Sequence, residues 1–219
     1  MRAAIIVAGG MGLRMGGSIP KQFMLLRRRP VLCWSVEAFH AFDAAMPIIV
    51  VLPEQQIPIW RTLCIGHNFQ VPHEVVAGGE ERSHSVREGL KRITGDPIVA
   101  VHDGVRPLVS NDLIARCFAA ADEYGSAIPV LPLSSSVREV DGAASKAIDR
   151  SRLRTVQTPQ CFRATALRKA FELPYDASFT DEATLVERIG EQVHLVEGDE
   201  RNIKVTTPMD LRVAEAILD

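Results

Sequence analysis

The stretch Ala3-Ala4-Ile5-Ile6-Val7-Ala8 runs into Gly9-Gly10-Met11-Gly12-Leu13-Arg14-Met15-Gly16-Gly17 and then Ser18-Ile19-Pro20-Lys21-Gln22. Six small or β-branched residues closed by glycine predict a strand buried on both faces, the opening strand of an α/β sheet. Glycines directly after it allow positive φ and let backbone N–H groups approach an anion; a phosphate is the expected guest. Two familiar phosphate loops do not fit. The dinucleotide pattern G-x-G-x-x-G from Gly10 meets Met15 where glycine is required, and no acidic residue ends a second strand about twenty residues later. The pattern G-x-x-x-x-G-K-[ST] from Gly12 reaches Gly17 but then finds Ser18 instead of lysine. What remains is a glycine loop carrying two cations, Arg14 and Lys21, with Pro20 fixing the backbone just before the second. Such a set suits a polyphosphate neutralised from two sides.

Working outward, Leu32, Val36, Phe39 and Phe42 recur at helical spacing beyond Pro30, and Pro47 and Pro53 bracket a second apolar strand, residues 48–52. Reached through a helix, that strand is expected parallel to the first. A less regular helix around Trp60 and Leu63 precedes a short strand at 74–76, which leads into Ala77-Gly78-Gly79 and a helix marked by Val86, Leu90 and Ile93. Gly78-Gly79 thus repeats the first arrangement, at a strand's carboxyl end, where open α/β sheets bind ligands. The same residues also read as a plain turn with Ser83 or Ser85 as helix N-cap. Residues 98–102 form the next strand and end in Asp103-Gly104-Val105-Arg106-Pro107. Asp103 is either a turn residue or, with Arg106, a hold on a hydroxyl and a phosphate.

Ser110 is expected to cap a helix whose stripe is Leu113, Ile114, Cys117, Phe118 and Ala121, closed by Gly125. After a strand at 127–131, Ser134 to Val140 meets Asp141-Gly142, a hairpin turn, and the chain returns through Ala147 to Arg150. Two strands this polar are marginal alone, so residues 134–157 are expected to form an arm that packs on another subunit, with Arg150 on its returning strand. Thr180 reads as the N-cap of a helix with Asp181 and Glu182 in its first turn. Residues 193–196 and 203–205 read as closing strands, and Thr207-Pro208 as the start of a final helix with Leu211, Ala214, Ile217 and Leu218 inward. The expected fold is α/β: one domain over 1–219, a Rossmann-like mixed, mostly parallel sheet flanked by helices, with a protruding β-hairpin arm.

Twenty-five Lys and Arg against 27 Asp and Glu give net charge −2, which argues against general nucleic-acid or membrane-surface binding. No stretch approaches about eighteen apolar residues, and the chain enters its first strand at once, so a soluble cytoplasmic protein is expected. The four cysteines, Cys33, Cys64, Cys117 and Cys161, form no C-x-x-C pair and are expected reduced; the six histidines show no metal spacing.

Ala8-Gly9-Gly10-x-Gly12-x-Arg14-Met15 with Pro20-Lys21-Gln22 resembles the opening of the cytidylyltransferases that act on polyol phosphates, foremost the 2-C-methyl-D-erythritol 4-phosphate cytidylyltransferase family of the non-mevalonate isoprenoid pathway. Gly78-Gly79-Glu80-Glu81-Arg82-x-x-Ser85, Val101-His102-Asp103-x-x-Arg106-Pro107, Thr158-Pro159-Gln160, Thr180-Asp181-Glu182 and Asn202 to Thr206 continue the resemblance in the family's order across nearly the whole chain. The resemblance implies that Ala8, Gly9, Gly10, Gly12, Gly79, Ser85 and Asp103 contact CTP and that Arg82 braces the second glycine loop. It implies that Asp103, Arg106, Ser136, Arg150, Thr158, Thr180 and Lys204 face the acceptor, Ser136 standing where threonine is usual, and that the arm interlocks a homodimer. For Thr180 this stands beside the capping account.

Nucleotidyl transfer also explains what the sequence lacks. The attacking phosphate is already an anion at pH 7, so no Ser/His/Asp constellation is required. Cations must hold the charge that develops: Arg14 and Lys21 on the transferring group, with Mg2+ held mainly by the CTP phosphates rather than by a dedicated protein cage. By resemblance, Lys204 and Arg150 complete the catalytic set by holding the acceptor phosphate. The resemblance implies 2-C-methyl-D-erythritol 4-phosphate as acceptor; Ala8-Gly9-Gly10 and Gly104-Val105 are also at home among relatives that use ribitol 5-phosphate, which stands as the alternative acceptor. A non-catalytic nucleotide-sensing module is the alternative from another class.

Overall fold

The computed structural model describes residues 1–10 and 19–218, so Gly12 and Arg14 lie outside the described residues. The chain begins with β1 (Arg2–Val7) and, after the loop, a tight hairpin of β2 (Leu25–Leu26) and β3 (Arg29–Pro30). It continues through α1 (Val31–Phe42), β4 (Ile48–Leu52), α2 (Ile57–Gly66), β5 (Glu74–Ala77), α3 (Arg82–Leu90), β6 (Ile98–Asp103), α4 (Asn111–Tyr124) and β7 (Ser126–Pro132). The arm, β8 (Val137–Asp141) and β9 (Ala144–Ile148), comes next, and the chain closes with β10 (Arg154–Val156), β11 (Gln160–Arg163), α5 (Ala164–Ala170), α6 (Glu182–Glu187), β12 (Leu195–Glu197) and α7 (Pro208–Ile217).

The opening apolar run is continuous because both faces of β1 are covered. Ala4, Ile6 and Ala8 face a core built with Val36 and Phe39 of α1 and Leu113 and Cys117 of α4. Ala3, Ile5 and Val7 face a second core with Val86 of α3, Leu167 of α5 and Leu185 of α6. Ile5 and Ile6 are both fully buried, each worth roughly 1.5–3 kcal/mol of burial. A polar residue at either position would break a core.

Among the described residues eight strands form one sheet in the order β10-β7-β11-β6-β1-β4-β5, with β12 beside β7. β1 runs parallel to both β4 and β6, and β4 parallel to β5, while β11 is antiparallel to β6 and β7. The chain moves from β1 outward to β4 and β5 and then returns to the opposite side of β1 at β6. That reversal opens a crevice at the carboxyl ends of β1 and β6, the expected ligand position in such sheets.

Several local expectations hold. Ser110 Oγ accepts from the Leu113 N–H at 3.2 Å, and Gly125 closes α4 at φ +85°. Thr207 and Asp210 form a capping box that starts α7. All four cysteines are free, and burial pushes the Cys33 thiol up to about 12. No described helix is long and apolar enough to cross a membrane.

Four details differ. α6 is capped by Asp181, whose Oδ1 accepts from the Thr184 N–H at 2.9 Å, so Thr180 falls one residue outside; the carboxylate also meets the positive helix end. Neither Ser83 nor Ser85 caps α3, because both lie inside it and Glu81 occupies the cap without a side-chain bond. Residues 203–205 make no strand. Their backbone is held instead by the Val205 N–H donating to the Val105 carbonyl at 2.8 Å, in a loop next to β6. The last strand begins at Leu195, two residues later than its apolar run.

Among the described residues the hairpin pairs only with itself, turning at Gly142 with φ +56°, and all of 138–147 is exposed. Arg150 lies beyond β9 in a single helical turn, Arg150–Arg152, rather than on the returning strand. Residues 154–156, inside the segment read as an arm, join the main sheet through β7.

Candidate active site

The cleft forms where the two glycine loops and the end of β6 meet. Just after Pro20, a short turn at Lys21–Phe23 directs Lys21 back across the first loop. Gln22 fixes that turn: it is fully buried, and its Nε2 donates to the Ala8 carbonyl at 2.7 Å and to Gln56 Oε1 at 2.6 Å. Glycine at 10 lets Lys21 lie close over the loop, since a Cβ there would stand 3.0 Å from Lys21 Cε and 3.5 Å from its Nζ. In the second loop a Cβ on Gly78 would lie 2.5 Å from Ser85 Oγ. Ser85, in the first turn of α3, thus packs directly under the glycine pair, its hydroxyl 3.4 Å from the Gly79 carbonyl.

Asp103, the last residue of β6, is buried and ringed by cations. Lys204 Nζ lies 2.9 Å from Oδ2, Arg106 Nε 3.4 Å from the same oxygen, and Arg82 Nε 3.3 Å from Oδ1. Burial alone would raise its pKa; Arg82, Lys204 and Arg106 outweigh that and hold the carboxyl well below the usual range. Arg82 also donates to the buried Glu182 at 2.6 Å. The resulting cleft has a volume of about 270 Å³, with Lys21, Arg82 and Lys204 as its described cations. Among the described residues no nucleophile–base pair lines it.

The structure brings together Ala8, Gly9, Gly10, Lys21, Gly79, Ser85, Asp103 and Lys204 from the expected set, with Arg82 beside them. Arg106 and Thr158 stand behind the cleft. The Arg106 guanidinium is spent on Asp103 and on the Asn202 carbonyl, 2.8 Å away, while Thr158 Oγ1 accepts from the Asp103 N–H at 3.0 Å. Ser136, Arg150 and Thr180 are exposed and line none of it; the Arg150 guanidinium donates to the Ser134 carbonyl. Sequence reasoning missed Gln22 and Glu182 as parts of the site. The first could have been found, because a glutamine directly after the loop lysine has a strand-end carbonyl within reach. Glu182 gave only its place in a helix's first turn and in the Thr180-Asp181-Glu182 segment of the resemblance, neither of which points to Arg82.

A cleft at the switch point of a mostly parallel sheet, lined by Lys21, Arg82, Lys204 and approachable glycine backbone, is the kind of site that an α/β nucleotidyltransferase uses. The family model for 2-C-methyl-D-erythritol 4-phosphate cytidylyltransferase (IspD) matches residues 2–219. A protein of that name from Bacteroides fragilis is 48% identical over 217 residues, 99% of each chain, and one from Geobacter metallireducens is 41% identical, covering 98% of this chain and 96% of its own. The crystal structure of the Thermus thermophilus enzyme of the same name superposes with a TM-score of 0.80 at 33% identity, over 99% of this chain and 98% of that one. This chain belongs to the 2-C-methyl-D-erythritol 4-phosphate cytidylyltransferase family.

Proposed function

We propose that this protein transfers a cytidylyl group from CTP to the phosphate of 2-C-methyl-D-erythritol 4-phosphate and releases pyrophosphate. The observation that carries the reading is the meeting of Lys21, folded over Gly10, with the Asp103–Lys204 pair across one cleft, in a chain 48% identical to a relative of that name over its length. Lys21 and the loop N–H groups hold charge that develops as the bond to pyrophosphate breaks. Lys204, anchored by Asp103 yet 39% exposed, takes the acceptor phosphate and aligns it for in-line attack at the α-phosphorus. The nucleophile needs no base, in keeping with a cleft that offers none.

The described cleft suits a divalent ion carried by the substrate. Its single buried carboxylate, Asp103, is already shared by three cations, and no described group of three or more His, Cys, Asp or Glu could cage a metal. Bound to the triphosphate, Mg2+ would supply the charge neutralisation that Lys21 and Lys204 alone cannot. The arm, exposed on both faces, serves a homodimer, and Arg150 at its base completes the acceptor site of the partner.

Pyrophosphate release with CTP and Mg2+, with 2-C-methyl-D-erythritol 4-phosphate and ribitol 5-phosphate side by side, tests the reading. Turnover is expected with the first acceptor, to require the metal, and to fall with UTP, ATP or GTP. Faster turnover with ribitol 5-phosphate would reassign the acceptor. Binding of CTP without turnover on either would leave a nucleotide sensor.

A further inference from the structure

Arg82, the first residue of α3, is divided between two carboxylates that come from distant parts of the chain. Its Nη1 lies 2.6 Å from Glu182 Oε1 and its Nε 3.3 Å from Asp103 Oδ1, so the short contact goes to Glu182. Glu182 is 1% exposed, and its second oxygen, Oε2, is buried with no hydrogen-bond partner among the described residues. A buried carboxylate satisfied through one oxygen contributes little to folding and is costly to keep. Burial raises its pKa, with Arg82 pulling the other way. The same two stretches of chain meet again where His84 lies against Tyr175, ring centroids 4.9 Å apart and planes tilted by 49°, so the contact is part of a broader seam.

The charge of Glu182 decides which way the guanidinium turns. Held by Glu182, Arg82 touches Asp103 only through Nε and leaves Oδ2 to Lys204 at 2.9 Å and Arg106 at 3.4 Å. With that charge gone, the preferred arrangement for an arginine beside a single carboxylate is a two-pronged pair. Arg82 would then close on Asp103, turn away from the cleft and compete with Lys204.

We infer that Glu182 is a positioning residue for the transfer: it holds Arg82 at the lip of the second glycine loop, facing the triphosphate, and keeps Asp103 available to Lys204. The inference rests on the proposed function, and it reaches the substrate only through Arg82. Glu182→Gln keeps the shape and removes the charge. Loss of one charge-assisted hydrogen bond predicts CTP affinity, by calorimetry and as KM, weakened about tenfold or more. In an Arg82→Ala background the same substitution should leave CTP affinity unchanged, because the residue through which it acts is absent. The melting temperature is followed alongside, because Arg82→Ala with Glu182 intact leaves a lone buried carboxylate.

CTP affinity within about twofold of the parent in Glu182→Gln, with only the melting temperature lowered, would make Glu182 a packing residue and overturn the inference. So would an equal loss with and without Arg82. If the parent protein neither binds CTP nor releases pyrophosphate, the functional reading itself fails. The Arg82 Nε–H signal of the unliganded protein then decides the positioning separately: it should shift in Glu182→Gln, where the guanidinium closes on Asp103 with two prongs, and an unchanged signal refutes it.

Discussion

Lowering the pH from 8 to 5 should destabilise this protein through one buried side chain, His102. The ring is fully buried on β6 and meets Phe39 edge-on, with centroids 5.1 Å apart. Thr158 Oγ1 accepts from the Asp103 N–H, so its own proton is free for His102 Nδ1 at 3.1 Å; the ring proton then sits on Nε2 and is donated to the Arg106 carbonyl at 3.2 Å. This is a neutral imidazole with both nitrogens occupied. Burial, outweighing the pull of neighbouring Asp103, pushes its pKa down to about 4, whereas the unfolded ring titrates near 6.5. Between those values the unfolded chain takes up a proton that the folded one refuses. The contribution is therefore fully present above about pH 6.5 and is lost as pH falls toward about 4. At about 1.4 kcal/mol per pH unit the whole gap comes to about 3 kcal/mol, of which about 2 is lost by pH 5. Urea unfolding at pH 8 and pH 5, for the parent and for His102→Gln, isolates this contribution, since the other histidines and the surface carboxylates titrate in both proteins and cancel in the difference. Asp103 does not interfere, because with its depressed pKa the loss of its contribution sets in only as pH falls below the ordinary aspartate value of about 4, outside the range compared. The parent should lose about 2 kcal/mol more than the variant. Equal losses would refute the neutral, doubly bonded ring.

Lys21→Ala should lower turnover at least about a hundredfold with the melting temperature nearly unchanged, as expected for a half-buried side chain that serves a developing charge; near-normal turnover would remove the first loop from the mechanism. Lys21→Ala and Arg150→Ala, each nearly inactive, should recover roughly a quarter of parental activity when their subunits are allowed to exchange, because random pairing gives mixed dimers one intact site. No recovery after confirmed exchange would return Arg150 to its own chain's site.

What could be read from the sequence was what local rules govern. β1 and β4 were legible because burial on both faces leaves uninterrupted apolar runs, and the caps at Ser110 and Thr207 because a side chain and an N–H three residues apart need no tertiary help. The glycine pairs were legible for a similar reason, since they permit close approach of side chains only a few residues away. Arg106 shows where this fails. Three residues from Asp103 at a strand's end, it reads as a hand for a phosphate, yet its Nε turns to Asp103 and its Nη1 to the carbonyl of Asn202, 96 residues on. Spacing tells that two charges are neighbours but not which way a guanidinium with several donors turns; that depends on acceptors supplied by remote segments. Glu182 is the same case in reverse, a helix-start carboxylate whose partner stands 100 residues earlier. The chemistry of this cleft was therefore legible where glycines and a lysine act within one loop. It was hidden where cations are divided among carboxylates from β6, α3 and α6, which is also where the orientation of Arg82 is decided.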